Sequence, residues 1–100
     1  MIDYSLLPHH IRDGMKMYIE NGIIPGHFLQ AAIKDKLVES FSRADDTNQK
    51  RMFDIANFLY NEMPSTLRGS KTAMLDHNKR IHDMTIDERE QWIKYINGLA

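Results

Sequence analysis

Arg68, Gly69, Ser70 and Lys71 bring together, in four consecutive positions, the residue types that hold phosphate. Pro64 ends one helical pattern before them, and Ser70 is placed to open the next. A helix N-terminus offers free backbone N–H groups and a partial positive charge. Ser70 would add a hydroxyl, Arg68 and Lys71 full charges, and Gly69 a close approach to backbone. The plain alternative is a serine cap beside two solvated cations. The loop lacks the Gly-x-x-x-x-Gly-Lys spacing of a P-loop, and no strand precedes it. The turn GIIPGHF poses the same choice. Gly26 would expose the first N–H groups of the next helix, and His27 would become cationic at lower pH. The alternative there is a tight turn whose Ile23 and Ile24 plug the core.

Three further groups carry polar chemistry. Arg12 and Asp13 precede Gly14, and Arg43 lies beside Asp45 and Asp46 at a helix junction. They read either as ion pairs tying helix ends together or as a polar patch for a partner. Surface pairs contribute about 0–1 kcal/mol each, so stability alone does not call for them. Trp92 reads as a binding anchor or as a lid over the bundle end. The five histidines, His9, His10, His27, His77 and His82, do not have metal spacing. His77 and His82 stand about 140° apart around a helix, on different faces. The DDTN stretch lacks the glycine and terminal glutamate of a calcium loop. No metal and no cofactor are expected. Nor is there a Gly-x-Ser-x-Gly elbow or another nucleophile set, so the chain reads as a non-enzyme.

The bulk composition narrows the setting. One hundred residues suit a single domain, residues 1–100, with one modest core. The formal net charge is −1, so no broad basic field draws the chain to nucleic acid or lipid. Cysteine is absent, which removes thiolate chemistry and disulfides and leans towards an intracellular, cytoplasmic home. The N-terminal MIDYSLLPHH does not have signal-peptide character, and no apolar run approaches a membrane span.

The elements that position these residues read as helices throughout. Ile11, Met15, Tyr18 and Ile19 form the stripe of a first helix that starts near Pro8 and ends at Gly22. A second helix carries Phe28, Leu29, Ala32, Ile33, Leu37 and Phe41 and ends near Arg43. Asp46 with Gln49 resembles a capping box for a third, running to about Met63. That helix is apolar over a wide arc, which predicts the most buried member of the bundle. Its excess of apolar positions would otherwise line a homo-oligomer contact or a partner groove. Phe28, Phe41, Phe53, Phe58 and Tyr60 read as core. Ser70 caps a fourth helix with a narrow apolar face, and Thr85 with Glu88 makes a capping box for a fifth. The predicted fold is all-α, a compact bundle of four to five short helices.

Three phrases, RDGMKMYIENGIIPGHFLQAAI, ESFSRADDTNQ and DIANFLYNEMPSTLRGS, in this order resemble a group of small helical proteins encoded by phages and prophages. The resemblance covers residues 8–75 and leaves residues 76–100 as a C-terminal helical extension. It implies a phage accessory product acting in the cytoplasm of an infected or lysogenic bacterium. Such products commonly inhibit a host protein, often a defence or regulatory factor, by direct contact. The same context admits two other readings. One is a binder of a phosphate-bearing ligand, a signalling nucleotide or nucleic acid, at Arg68, Ser70 and Lys71. The other is a minor virion or assembly component.

Overall fold

The computed structural model describes residues 2–98 and is all-α. Seven α-helices occur among these residues: α1 (His9–Asn21), α2 (His27–Ile33), α3 (Leu37–Arg43), α4 (Asp46–Lys50), α5 (Met52–Asn61), α6 (Lys71–Asp83) and α7 (Ile86–Ile96). Two short 3-10 turns, Tyr4–Leu6 and Ser65–Leu67, precede α1 and α6. The Cα radius of gyration is 13.2 Å, the value of a well-packed chain of this length.

The expectation of four or five helices is corrected by two interruptions. The second predicted helix breaks after Ile33, where Asp35 takes a left-handed φ of 59°. Asp35 N–H donates to Ala32 O and Lys36 N–H to Ala31 O, the paired bonds of a Schellman motif. Aspartate tolerates this region better than most side chains, so the break needs no glycine. The carbonyl of Ile33 then accepts from Gly69 N–H at 2.8 Å, which joins the break to the loop before α6. The third predicted helix is divided at Arg51. The Arg51 guanidinium donates to Asp54 at 2.6 Å and to Leu6 O at 2.9 Å, fastening the N-terminal turn to α5.

The caps at Ser70 and at Thr85 with Glu88 form as the sequence indicates. At α4 the register moves by one residue. Asp45, not Asp46, is the N-cap, and its carboxylate accepts from Asn48 N–H at 2.7 Å.

One apolar cluster runs from Ile2 to Ile96. Its centre is α1, where Met15, Tyr18 and Ile19 are completely buried, not the α4–α5 segment predicted to be innermost. The reason is topological: α1 touches α2, α6, α7 and the first 3-10 turn, so it is enclosed on most sides. Only Ile55 and Phe58 of α5 are fully buried. The core assignments of Phe41, Phe53 and Tyr60 are corrected, since all three are exposed. At 100° per residue, Phe53 stands about 200° from Ile55, on the opposite side of α5.

The C-terminal segment contributes single buried positions to the fold. His77, Ile81 and Ile96 are buried, and Trp92 packs against the cluster. Tyr18 supplies the long-range tie across the centre: its hydroxyl donates to Leu67 O at 2.7 Å. Replacing Tyr18 with phenylalanine leaves that carbonyl without its donor in a dry site. The expected loss is about 1–2 kcal/mol, read as a lower urea midpoint at unchanged slope.

Candidate functional site

The chain's second corner forms a cleft of about 360 Å³ between α1, α2 and the start of α4. It is built from the turn upward. Pro25 and Gly26 set the entry of α2, and Gln30 Nε2 donates back to Pro25 O at 2.8 Å, fastening the turn. Gly26 and His27 therefore stand at the rim. The end of α3 and the cap of α4 bring Arg43 and Asp45 to the same rim, and α1 contributes His10. His10 Nε2 lies 2.9 Å from one Asp45 carboxylate oxygen, while the other oxygen caps α4 through Asn48 N–H. Arg43 pairs with Glu39 at 3.3 Å and stays half exposed. Ile11, Phe28 and Leu29 supply apolar lining.

Asn48 also lines this cleft and is only 3% exposed. Its side-chain oxygen is buried without a hydrogen-bond partner among the described residues. A buried acceptor in this state costs about 1–3 kcal/mol, so a donor supplied from outside would stabilise the complex it forms.

The first corner is arranged differently. A cleft of about 710 Å³ runs along α6 and is lined by Arg68 and Ser70, with Lys79, Arg80, Asp76 and Asp83. Lys71 is exposed and does not line it, which corrects its grouping with Arg68 and Ser70. Gly69 does not line it either, and its N–H is engaged with Ile33 O. The Ser70 hydroxyl accepts from Ala73 N–H at 3.0 Å as an ordinary cap. Arg68 faces Asp35 at 3.8 Å and lies 5.9 Å from the centre of the Tyr60 ring. The two corners line separate clefts.

Arg12 has a structural role. Its guanidinium donates to Leu7 O at 2.8 Å and to Ser5 O at 3.2 Å, bracketing the first 3-10 turn against α1. Neither an Arg12–Asp13 ion pair nor a shared cleft is formed among the described residues, and Asp13 is exposed on α1. Trp92 is half-buried, and its indole N–H donates to Ile19 O at 2.9 Å. Its ring lies 5.6 Å from His77 and 6.1 Å from Tyr95, the arrangement of a lid.

Sequence reasoning weighed His77 only as a metal ligand and missed its burial. It is completely buried, with Nε2 2.9 Å from Tyr18 O and 3.1 Å from Ile19 O. Carbonyls only accept, so Nε2 carries the proton, and Nδ1 faces Arg80 Nη2 at 3.4 Å. Desolvation pushes the His77 pKa below its ordinary range, partly offset by the two carbonyl bonds. The available signal was its spacing: Met74, His77 and Ile81 form one stripe at intervals of three and four. Among the described residues, no group of three acidic, histidine or cysteine side chains is arranged to hold a metal, and no helix is long and apolar enough to cross a membrane. Comparison with protein-family models, with curated proteins and with solved structures finds no match.

Proposed function

We propose that this chain is a non-enzymatic, phage-encoded binding protein that acts in the cytoplasm of a bacterial host by direct contact with a host protein, inhibiting a defence or regulatory factor. The phage setting rests on the three phrases quoted above. The contact surface we assign is the α1–α2–α4 cleft. One observation carries that assignment: Gly26, His27, Arg43 and Asp45, distant in sequence, share one shallow cleft with His10 and with the unpartnered acceptor of Asn48. A protein loop suits such a site. Its carbonyls would accept from Arg43 and His27, and its apolar side chains would pack over the partly exposed Phe28.

The test is a pull-down from host lysate at physiological salt with the wild-type chain and with a His27→Ala, Arg43→Ala double variant. Both replaced side chains are exposed, so the double variant should melt within about 2 °C of wild type. The expected result is one specific host protein retained by wild type and reduced at least about tenfold by the variant. Equal recovery from both would remove the cleft from the reading, and no specific recovery would remove the reading itself.

A second reading, a phosphate-bearing ligand over Arg68 and Ser70, is favoured by the three cations lining the α6 cleft. Asp76 and Asp83 lie in the same cleft and offset two of those charges. Calorimetry against a nucleotide panel over a range of salt separates the two readings, since phosphate contacts weaken steeply as ionic strength rises.

A further inference from the structure

We propose that the exposed apolar face of α3 and α5, remote in role from the polar cleft, joins two copies of this chain into a symmetric dimer. On α5, Phe53, Ala56 and Tyr60 fall within a 60° arc, one continuous row of the helix surface. Phe53 and Tyr60 are each 77% exposed. On α3, Leu37 is 68%, Val38 82% and Phe41 44% exposed. Between the two helices runs a groove of about 180 Å³, with Leu37 on one wall, Ala56 on the other, and Ile55, Leu59 and Met52 along it. Tyr60 is linked to the far wall through Arg68, whose guanidinium lies near its ring and faces Asp35.

Three features favour a second copy as the occupant. The first is area. At these exposures the five large side chains leave roughly 600 Å² in water, at the upper end of what a solitary soluble chain shows. That is also close to the ~800 Å² per partner of a standard interface, so one such face on each of two chains nearly completes it.

The second is shape. A twofold contact uses the same patch on both chains, so the patch must be complementary to itself. This face carries projecting rings and a groove side by side, and each ring row of one copy would enter the groove of the other.

The third is charge. The rim carries both signs, with Asp35 and Lys36 adjacent at one end and Arg51 paired to Asp54 near Phe53. With two acids and two bases, this rim selects no strongly charged partner and carries no net charge to repel its own copy.

The dimer would present two polar clefts, giving the binding reading above the benefit of bivalency, although neither proposal depends on the other.

The experiment is sedimentation velocity with light scattering from low to high micromolar protein. It compares wild type, Phe53→Glu, Tyr60→Glu, and the cleft double variant His27→Ala with Arg43→Ala. Wild type is expected to move from the mass of one chain to that of two, with no larger species. Each glutamate variant is expected to weaken dimerisation at least about tenfold while keeping its helical circular-dichroism spectrum, because both side chains point into solvent. The cleft variant should dimerise as wild type does. A wild type that stays monomeric at high micromolar concentration overturns the proposal, and so does open-ended association or a dimer unaffected by both glutamates. If wild type stays monomeric and Phe53→Glu instead loses host-protein capture, the face belongs to a partner and the dimer is refuted.

Discussion

Replacing Gly22 with alanine is expected to destabilise the fold by about 3–4 kcal/mol, among the largest effects of any single substitution here. Two costs add at this position. Gly22 sits at φ 68°, the left-handed residue that ends α1, where its N–H donates to Tyr18 O and the next N–H to Met17 O. A non-glycine residue there costs roughly 1–2 kcal/mol from its Cβ against the following carbonyl. In addition, an alanine Cβ would lie 2.7 Å from Ile81 Cβ and 3.0 Å from Ile81 Cγ1. The contact is with the branched base of a fully buried side chain, which cannot rotate away. Asn78 Nδ2 donates to Gly22 O at 2.7 Å, so a shift of the turn would also disturb the bond that draws α6 against it. Chemical denaturation with a fixed slope measures the loss. Gly26→Ala is the control, because its φ is −66° and nothing lies within 4 Å of the added carbon. It should change stability by no more than about 0.5 kcal/mol. Equal losses at the two glycines would contradict the packing argument.

Replacing His77 with alanine is expected to cost about 3 kcal/mol, chiefly through a cavity between Tyr18 and Trp92, while Tyr18 O and Ile19 O each lose one donor and keep the other, Gly22 N–H and Trp92 N–H. His77→Gln keeps an N–H donor on a shorter, flatter side chain and should recover part of the loss. The pH dependence distinguishes the role further. Above the ordinary histidine value of 6.5, neither the folded nor the unfolded chain protonates this ring, and its contribution is complete. As the pH falls through that value, the unfolded chain takes up a proton that the buried ring resists. Stability therefore declines with acidification until the lower folded pKa has been passed. The folded ring resists because its surroundings are dry and because Arg80 faces Nδ1, where a second proton would have to sit. Denaturation midpoints between pH 7.5 and 5 should consequently fall more steeply for wild type than for His77→Gln. Parallel profiles would mean that acid sensitivity arises elsewhere, for example at exposed carboxylates.

The places where sequence reading and structure part share a cause. The α1 stripe of Ile11, Met15, Tyr18 and Ile19 is buried as its spacing indicates, because one dominant stripe admits one way of facing a core. On α5 apolar residues surround most of the helix, and spacing alone does not choose which arc is covered. The choice falls to Ile55 and Phe58, which join the central apolar cluster, with Phe58 against Tyr4 of the first 3-10 turn, and Phe53 and Tyr60 are left outside. The break at Asp35 was hidden for a similar reason. The run from Phe28 to Phe41 is compatible with one helix, and only the docking of Gly69 N–H on Ile33 O makes two shorter ones preferable. Arg12 illustrates the limit for polar groups. Its position beside Asp13 suggested an ion pair or a polar patch, whereas folding brings it to two carbonyls of the preceding turn.

Within this sequence, the all-α class, the termination of α1 at Gly22 and the caps at Ser70 and Thr85 were determined by interactions spanning three to five residues, which the chain carries wherever it is placed. Tertiary structure alone decided that α1 is the centre, that His77 and Trp92 cover its C-terminal carbonyls, and that Gly26, His27, Arg43 and Asp45 share a cleft. It also left an apolar face on α3 and α5 in water. These outcomes depend on which surfaces meet across dozens of residues, and that choice is made by competition among all the apolar faces for one small core.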